Sequence, residues 1–117
     1  QAQASAAGVR ELRTRQLAET QIFEDHARTT TARDRVHAAE ITHAASARAA
    51  SDATARFEAG TTTQLDQIQA ERDRVAAELA LIQARAELRT AIALLAIRSH
   101  EFDALCRLAG GDCAWRP

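Results

Sequence analysis

The residues most suited to metal chemistry are one glutamate and two histidines on a predicted helix. Glu40 stands three residues before His43 and three residues after His37. In four-helix bundles that bind two metal ions, Glu-x-x-His pairs on two helices join glutamates from the other two helices. The second half of the chain offers no second Glu-x-x-His pair. We therefore predict no metal site and expect these histidines on a polar seam or at the surface.

Two cysteines near the C-terminus have the spacing for a disulfide bond. Cys106 and Cys113 flank a segment that contains Gly110 and Gly111. Such a loop can bring two Cα atoms to the roughly 4.4–6.8 Å that a disulfide requires. In an oxidising compartment the alternatives are a bridge and two ordinary thiols. Both alternatives stay open at this stage.

No sequence pattern in the chain points to catalysis. There is no glycine-rich phosphate loop, no Ser/His/Asp spacing on a turn and no zinc-type cysteine and histidine cluster. The only basic neighbour of Cys106 is Arg107, which falls short of the surroundings of a reactive thiolate. We predict that the protein is not an enzyme and uses no cofactor.

Composition limits the fold to thin helical packing. The chain has 117 residues and is 46% hydrophobic, but alanine supplies most of that fraction and only 3% of residues are aromatic. Alanine favours helix and buries little area, which suits close helix-on-helix seams. The net charge of −1, with acidic and basic residues interspersed, argues against a nucleic-acid partner. No run approaches the ~20 apolar residues that span a bilayer, so we expect a soluble chain.

A glycine-centred break divides the chain into two helical patterns. Gly60 can adopt the left-handed backbone that ends a helix, and Thr63 with Asp66 forms a Thr-x-x-acid capping pair for the next one. We therefore predict an all-α fold, a long antiparallel helical hairpin with coiled-coil-like packing. Its predicted parts are a first helix over 9–58, a tip over 59–62, a second helix over 63–98, and a short helical segment with a tail over 99–117.

Small and apolar residues at 3-4 spacing form one stripe on the first helix and two on the second. One stripe on the second helix satisfies a hairpin, and the other requires a further neighbour, so we expect self-association, most simply as a dimeric four-helix bundle. The stripe of the first helix contains Ala18, Ile22, Thr29, Ala32, Val36, Ala39, His43, Ser46, Ala50, Ala53 and Phe57. The two stripes of the second helix are Leu65, Ile68, Val75, Leu79, Ile82, Ala86 and Ala77, Leu81, Ala84, Leu88, Ala91, Leu95.

The segment around the break resembles the second half of a TolC-family outer-membrane factor. That family repeats an Ala-Arg-(Phe/Tyr)-x-x-Gly motif, an Asp-containing helix start, and a long return helix that ends near Leu-Gly-Gly. The resemblance covers roughly residues 9–115. The matching residues here are Ala55-Arg56-Phe57-x-x-Gly60, Leu65-Asp66, Ala70, the Ala/Leu/Gln-rich run to Leu95, Leu108-Ala109-Gly110-Gly111 and Trp115.

The resemblance implies a role in transport across the outer membrane of a Gram-negative bacterium. Family members are trimers with a membrane-embedded β-barrel and periplasmic helical hairpins that form a tunnel. This chain would be the second periplasmic hairpin alone, with membrane contact only through parts outside this sequence. The channel would serve efflux or type I secretion.

The resemblance also assigns roles at the tip. Ala59, Gly60 and Thr61 would contact a periplasmic adaptor protein, and Asp66 with Gln69 would lie at the tunnel entrance. Thr62 stands where some relatives carry a gating arginine.

Two other interpretations fit the residues. The chain would also suit a generic coiled-coil interaction module, such as an adaptor hairpin or a designed hairpin. Adaptor hairpins are usually followed by a lipoyl-like β domain, which is not visible here. A metal-binding four-helix bundle ranks third, because only one of its helices would carry ligands.

Overall fold

Two α-helices account for nearly all of the residues that the structure describes. In this computed structural model residues 2–108 are described, and they form α1 (Ala2–Glu58) and α2 (Gln64–Leu108). No strand occurs between residues 2 and 108. The predicted all-α antiparallel helical hairpin is therefore confirmed.

The chain divides into two compact units, each of which contains a piece of both helices. We call Thr31–Arg89 the tip unit. The terminal unit combines Gln1–Thr30 with Thr90–Pro117, of which residues 2–30 and 90–108 are described.

In the tip unit the helices pack through very small side chains. On α2 the buried residues are spaced by four and three, and the two on α1 lie about five turns apart, so each set occupies one face of its helix. Alanine at most of these positions lets the two backbones approach closely. Those buried residues are Ala32 and Ala50 on α1 and Ala77, Leu81 and Ala84 on α2.

Polar contacts across the seam fix the register of the tip unit. Arg85 donates a hydrogen bond from Nη2 to Glu40 Oε1 at 3.3 Å, and Gln67 donates from Nε2 to Thr54 Oγ1 at 3.4 Å. A shift by one turn would break both contacts and would move the alanines out of the seam. The register is therefore set jointly by small-residue packing and by these paired polar groups.

In the terminal unit the seam contains a buried ion pair. Asp25 is only 2% exposed, and its two carboxylate oxygens both lie 3.1 Å from Nη1 of Arg98. Oδ1 also accepts a hydrogen bond from Gln21 at 3.4 Å, whereas Oδ2 accepts none from the described residues. The apolar residues Ile22, Ala91 and Phe102 are also buried in this unit. A carboxylate in such surroundings depends on its arginine partner.

The helix boundaries differ from the prediction at both ends of the chain. Helix α1 begins at Ala2 and not at residue 9, because the alanine-rich start favours helix and the cost of Gly8, about 1 kcal/mol, does not break it. Helix α2 continues to Leu108 without ending at 98. Phe102 and Cys106 extend its buried stripe, and no proline or glycine interrupts it there. Residues 109–117 of the predicted tail lie outside the described residues.

The predicted stripe of α1 lies in the seam, with Phe57 as the exception. Phe57 is 38% exposed, since it lies in the last turn of α1, where the chain leaves the seam for the tip. On α2, the stripe that contains Ala77, Leu81 and Ala84 faces α1, and the other stripe is exposed.

We predict that Arg98→Ala lowers the free energy of unfolding by up to about 3–5 kcal/mol, because it leaves the buried Asp25 carboxylate with only the exposed Arg28, at 4.0 Å, as a counter-charge. Asp25→Ala should cost less, about 1.5–3 kcal/mol, since the Arg98 side chain is 34% exposed and regains water. Urea denaturation followed by circular dichroism measures both values.

The matched control is the double variant Asp25→Leu/Arg98→Leu, which should recover most of the loss because it removes both charges together. Single-variant losses that simply add in Asp25→Ala/Arg98→Ala would contradict the assigned ion pair.

Candidate functional site at the hairpin tip

Helix α1 ends in a Schellman motif centred on Gly60. The glycine has φ +75°, and its N–H donates a hydrogen bond to the carbonyl oxygen of Phe57 at 3.0 Å. The N–H of Thr61 donates to the carbonyl oxygen of Arg56 at 2.9 Å. These two bonds satisfy carbonyl groups that a helix end otherwise leaves without partners. These two hydrogen bonds fix the backbone conformation of the tip over a few residues.

Helix α2 begins with the capping pair that the sequence predicted. The N–H of Asp66 donates to Oγ1 of Thr63 at 3.3 Å. The hydroxyl of Thr62 donates to Oδ2 of Asp66 at 2.8 Å, a contact not predicted from the sequence. A threonine four residues before a helix-capping acid was the available signal.

The charge of Asp66 is stabilised by these hydroxyl groups. The Thr62 hydrogen bond, followed by that of Thr63, lowers the pKa of the Asp66 carboxyl below its ordinary value. Donors directed at the ionised form favour it over the neutral form. Asp66 therefore carries a full negative charge at neutral pH while remaining exposed to solvent.

The residues predicted to contact an adaptor are all exposed at the end of the hairpin. Ala59, Gly60 and Thr61 present no side chain larger than threonine. Gln69 is also exposed, about one turn after Asp66. A shallow groove of about 330 Å³ lies below the tip between the helices. It is lined by Ala49, Asp52, Ala53, Arg56, Thr62 and Asp66.

The acidic residue and histidines considered as metal ligands do not form a site together with other ligands. Glu40 is engaged by Arg85, His37 is exposed, and His43 is half-buried in the seam. Between residues 2 and 108, no three His, Cys, Asp or Glu side chains are grouped closely enough to hold a metal ion. Cys106 is buried, and its predicted partner Cys113 lies outside the described residues, so their bridge stays a prediction.

A second candidate surface lies on α2, on the side away from α1. We call it the outer face of α2, and its apolar members are between 46% and 70% exposed. A groove of about 420 Å³ runs along it, lined by residues at i, i+3, i+4, i+7, i+8 and i+11. This spacing forms two successive holes of the kind that receive side chains from another helix. The outer face consists of Leu65, Ile68, Arg72, Val75, Leu79 and Ile82.

Comparison with protein-family models, curated proteins and solved structures gave no match to this chain. Neither helix, over the described residues, contains a segment both long and apolar enough to cross a membrane. The geometry of the tip and the outer face of α2 are therefore the observations from which a function can be argued.

We predict that Gly60→Val destabilises the hairpin by about 1–2 kcal/mol or more, because a residue with a Cβ pays that cost in the left-handed region and β-branching adds to it. No atom lies within 4 Å of the position that a Cβ would occupy, so the effect is one of backbone strain alone. Thermal and urea melts monitored by circular dichroism measure it.

Gly8→Ala provides the matched control, since Gly8 also has open space around it but lies within helix α1. That change should stabilise the protein by about 0.5–1 kcal/mol. Equal effects of the two substitutions would contradict the special role of Gly60.

Proposed function

We propose that this chain is a periplasmic tunnel hairpin of a trimeric outer-membrane efflux or secretion channel, and that its tip docks a periplasmic adaptor protein. The observation that carries the proposal is the glycine-centred cap, which presents Ala59, Gly60 and Thr61 to solvent within an Ala-Arg-Phe-x-x-Gly segment. The proposed role is structural, and no catalytic step is assigned.

The tip has the properties of a docking surface for another helical tip. Its small residues allow a partner backbone to approach closely. The hydrogen bonds of Gly60 and Thr61 to the end of α1 already fix its conformation, so little ordering would be required on binding. A rigid tip without bulky side chains favours backbone-level contact over insertion of an aromatic anchor.

The exposed outer face of α2 supports the tunnel-wall part of the proposal. Ile68, Val75 and Leu79 are each about half exposed, which is unfavourable for a chain that works alone. A helix with apolar residues on two opposite sides fits between two neighbours. In a wall of parallel hairpins, α2 would have α1 on one side and a helix of the adjacent hairpin on the other.

Asp66 is the residue that we assign to the tunnel entrance, with Gln69 one turn further along α2. Three copies of an ionised carboxylate around a narrow axis would attract cations and repel anions, an effect that falls with increasing salt. The lowered pKa of Asp66 supports this role, because the carboxylate stays charged.

The second candidate is a generic coiled-coil interaction module, such as an adaptor hairpin. The same outer face of α2 favours it, because any amphipathic helix would cover that face. The two proposals differ at the tip, since only the first requires Ala59, Gly60 and Thr61 to bind a partner.

To test tip docking, we predict that Ala59→Arg weakens binding of the chain to purified adaptor hairpin domains at least tenfold, because a long charged side chain blocks close approach at the tip. Surface plasmon resonance with immobilised adaptor hairpins measures the affinity. The control is Ala38→Arg, which places the same side chain at an exposed position of α1. Absence of adaptor binding by the unmodified chain, or equal affinity of both variants, would refute tip docking.

For the tunnel entrance, we predict that Asp66→Asn lowers cation selectivity in single-channel recordings of the full-length parent protein. With Asp66 intact, selectivity should fall as acidification protonates the three carboxylates, whose mutual repulsion in the trimer opposes the lowering of the Asp66 pKa by Thr62 and Thr63.

Asp34→Asn is the matched control, since it removes the same charge from an exposed position of α1 away from the tip. If both variants changed selectivity equally, or neither did, the entrance assignment would fail.

A further inference from the structure

We propose that residues 109–117, which we call the C-terminal segment, fold back over the last turns of α2 and are held there by a redox-sensitive disulfide between Cys106 and Cys113. The segment lies outside the described residues, whereas the surface that it would cover lies on α2. This inference goes beyond the proposed function, because it concerns the terminal unit and requires neither an adaptor nor a channel.

The end of α2 is more buried than the end of a helix in a two-helix hairpin is expected to be. Phe102 is 5% exposed and Cys106 is 7% exposed, although α2 ends at Leu108. By contrast Phe57, which lies on the predicted stripe of α1 and near the end of that helix, is 38% exposed. A side chain near a helix end lacks the neighbours that a further turn would supply. Phe102 and Cys106 therefore have a source of cover that Phe57 does not have.

Helix α1 is not the main source of cover for Cys106. Arg98 contacts Asp25, and because the helices are antiparallel, Cys106 lies near the level of Leu17 on α1. Leu17 is 72% exposed, and residues 11–17, which include every face of α1 over about two turns, are all exposed. A close contact buries the surfaces of both partners. Most of the cover of Cys106 must therefore come from another part of the chain.

The C-terminal segment is the part of the chain within reach. The other residue outside the described range is Gln1, which joins the start of α1, more than roughly 20 Å from the level of Cys106. The C-terminal segment follows the end of α2 directly, and its second and third residues are glycines, which permit a sharp reversal of the chain. Its nine residues span up to about 30 Å when extended, so they can reach back to Cys106 and Phe102.

A disulfide would hold the C-terminal segment in this position. No cysteine thiol within residues 2–108 is free, and the chain contains two cysteines, so the partner that the sequence offers to Cys106 is Cys113. The bridge would place Cys113 beside the buried stripe that also contains Phe102. Trp115 follows two residues later and offers a large apolar surface to cover that stripe.

The bond forms by exchange with a small-molecule disulfide such as oxidised glutathione. One cysteine thiolate attacks a sulfur of the oxidant, whose disulfide bond breaks and releases one glutathione thiolate. The second cysteine thiolate then attacks the cysteine sulfur of the mixed disulfide and releases the second glutathione. The two cysteine thiols thereby lose two protons and two electrons, which convert oxidised glutathione into two thiols. An excess of reduced glutathione reverses both steps.

Reduction of the bond would uncover the part of the seam next to the buried ion pair. Phe102 follows Arg98 by about one turn on the same stripe of α2, and Arg98 pairs with Asp25. Water that reaches Phe102 also approaches a carboxylate that is only 2% exposed. We therefore expect the terminal unit to open more readily in a reducing compartment. The tip unit keeps its own contacts, such as that of Glu40 with Arg85.

Peptide mapping of the purified chain tests the bond. Arg107 lies between the two cysteines and supplies the trypsin site that separates them. After incubation with oxidised glutathione, a digest without reductant should contain peptides 99–107 and 108–117 joined by a disulfide, and a phosphine reductant should separate them. Two free thiols would overturn the inference. So would peptides joined between chains when labelled and unlabelled copies are mixed.

Tryptophan fluorescence tests the cover, because Trp115 is the only tryptophan of the chain. Acrylamide should quench its emission at least threefold less in the oxidised chain than in the reduced chain, since the packed indole is shielded. Cys113→Ser should behave like the reduced chain and no longer respond to reductant. Asp112→Ser is the matched control and should respond like the unmodified chain. Equal quenching in both redox states, with the bond shown to be present, would refute the cover.

A second variant tests which surface lies under the C-terminal segment. Phe102→Ala should raise acrylamide quenching in the oxidised chain without preventing the bond, because it removes the apolar surface beneath the segment. Phe23→Ala is the matched control at a position of α1 that is 77% exposed, and it should leave quenching unchanged. Equal effects of the two variants would contradict the assigned surface.

Hydrogen–deuterium exchange distinguishes local opening from a general loss of stability. Reduction should speed amide exchange at residues 99–108 at least tenfold and leave residues 56–66 unchanged. An equal change in both regions, or none in either, would overturn the inference. Adaptor binding by Ala59 variants is measured separately, so failure of the tip proposal and failure of this one are distinguishable.

Discussion

Small side chains in the seam between α1 and α2 are the constraint on which the remainder of the structure depends. In the tip unit, alanines such as Ala32, Ala50 and Ala77 bring the helices close together. Apart from Leu81, the buried positions of this seam are alanines, and the large apolar residues Ile68, Val75 and Ile82 lie on the other side of α2. Close packing inside the hairpin and apolar exposure outside it are two results of one distribution of residue sizes.

A thin seam also explains why polar groups have structural roles here. Alanine contributes little buried area per residue, so the burial energy along the seam is modest. Contacts such as Glu40 with Arg85 and Thr54 with Gln67 then define which residues face each other. The ion pair of buried Asp25 with Arg98 does the same in the terminal unit at greater energetic risk, since the buried carboxylate without the arginine is unfavourable.

Much of the fold could be predicted from the sequence because its signals are local. Gly60, Thr63 and the 3-4 stripes each specify structure within one or two turns, and the tip, the capping pair and the seam residues follow from them. The burial of Asp25 in the seam was not predicted, because a 3-4 pattern of small and apolar residues does not include a carboxylate. A carboxylate lies in a seam only when an arginine distant in sequence pairs with it. That pairing depends on tertiary structure, which no local pattern contains.

The helix ends show where prediction from local sequence signals fails. The helix ends predicted at residues 9 and 98 lie within longer helices, because propensity is a weak preference that packing overrides. Phe102 is buried, and this burial keeps α2 continuous beyond residue 98. At the candidate site, the exposure of Ala59 and Asp66 could be predicted, whereas the Thr62 hydrogen bond depends on the rotamer that the cap imposes.

The compact tip has a consequence for how the chain folds. Its hydrogen bonds join residues close in sequence, and the first contact between the helices, from Thr54 to Gln67, closes a separation of only 13 residues. The Glu40 contact spans 45 residues and the Asp25 contact spans 73. Loop-closure entropy rises with length, but each contact already made shortens the loop that the next must close. Formation of the hairpin is therefore expected to start at Gly60 and to proceed towards the chain ends, so that the buried ion pair forms late. The early steps join residues that are close in sequence, which means that their contact order is low.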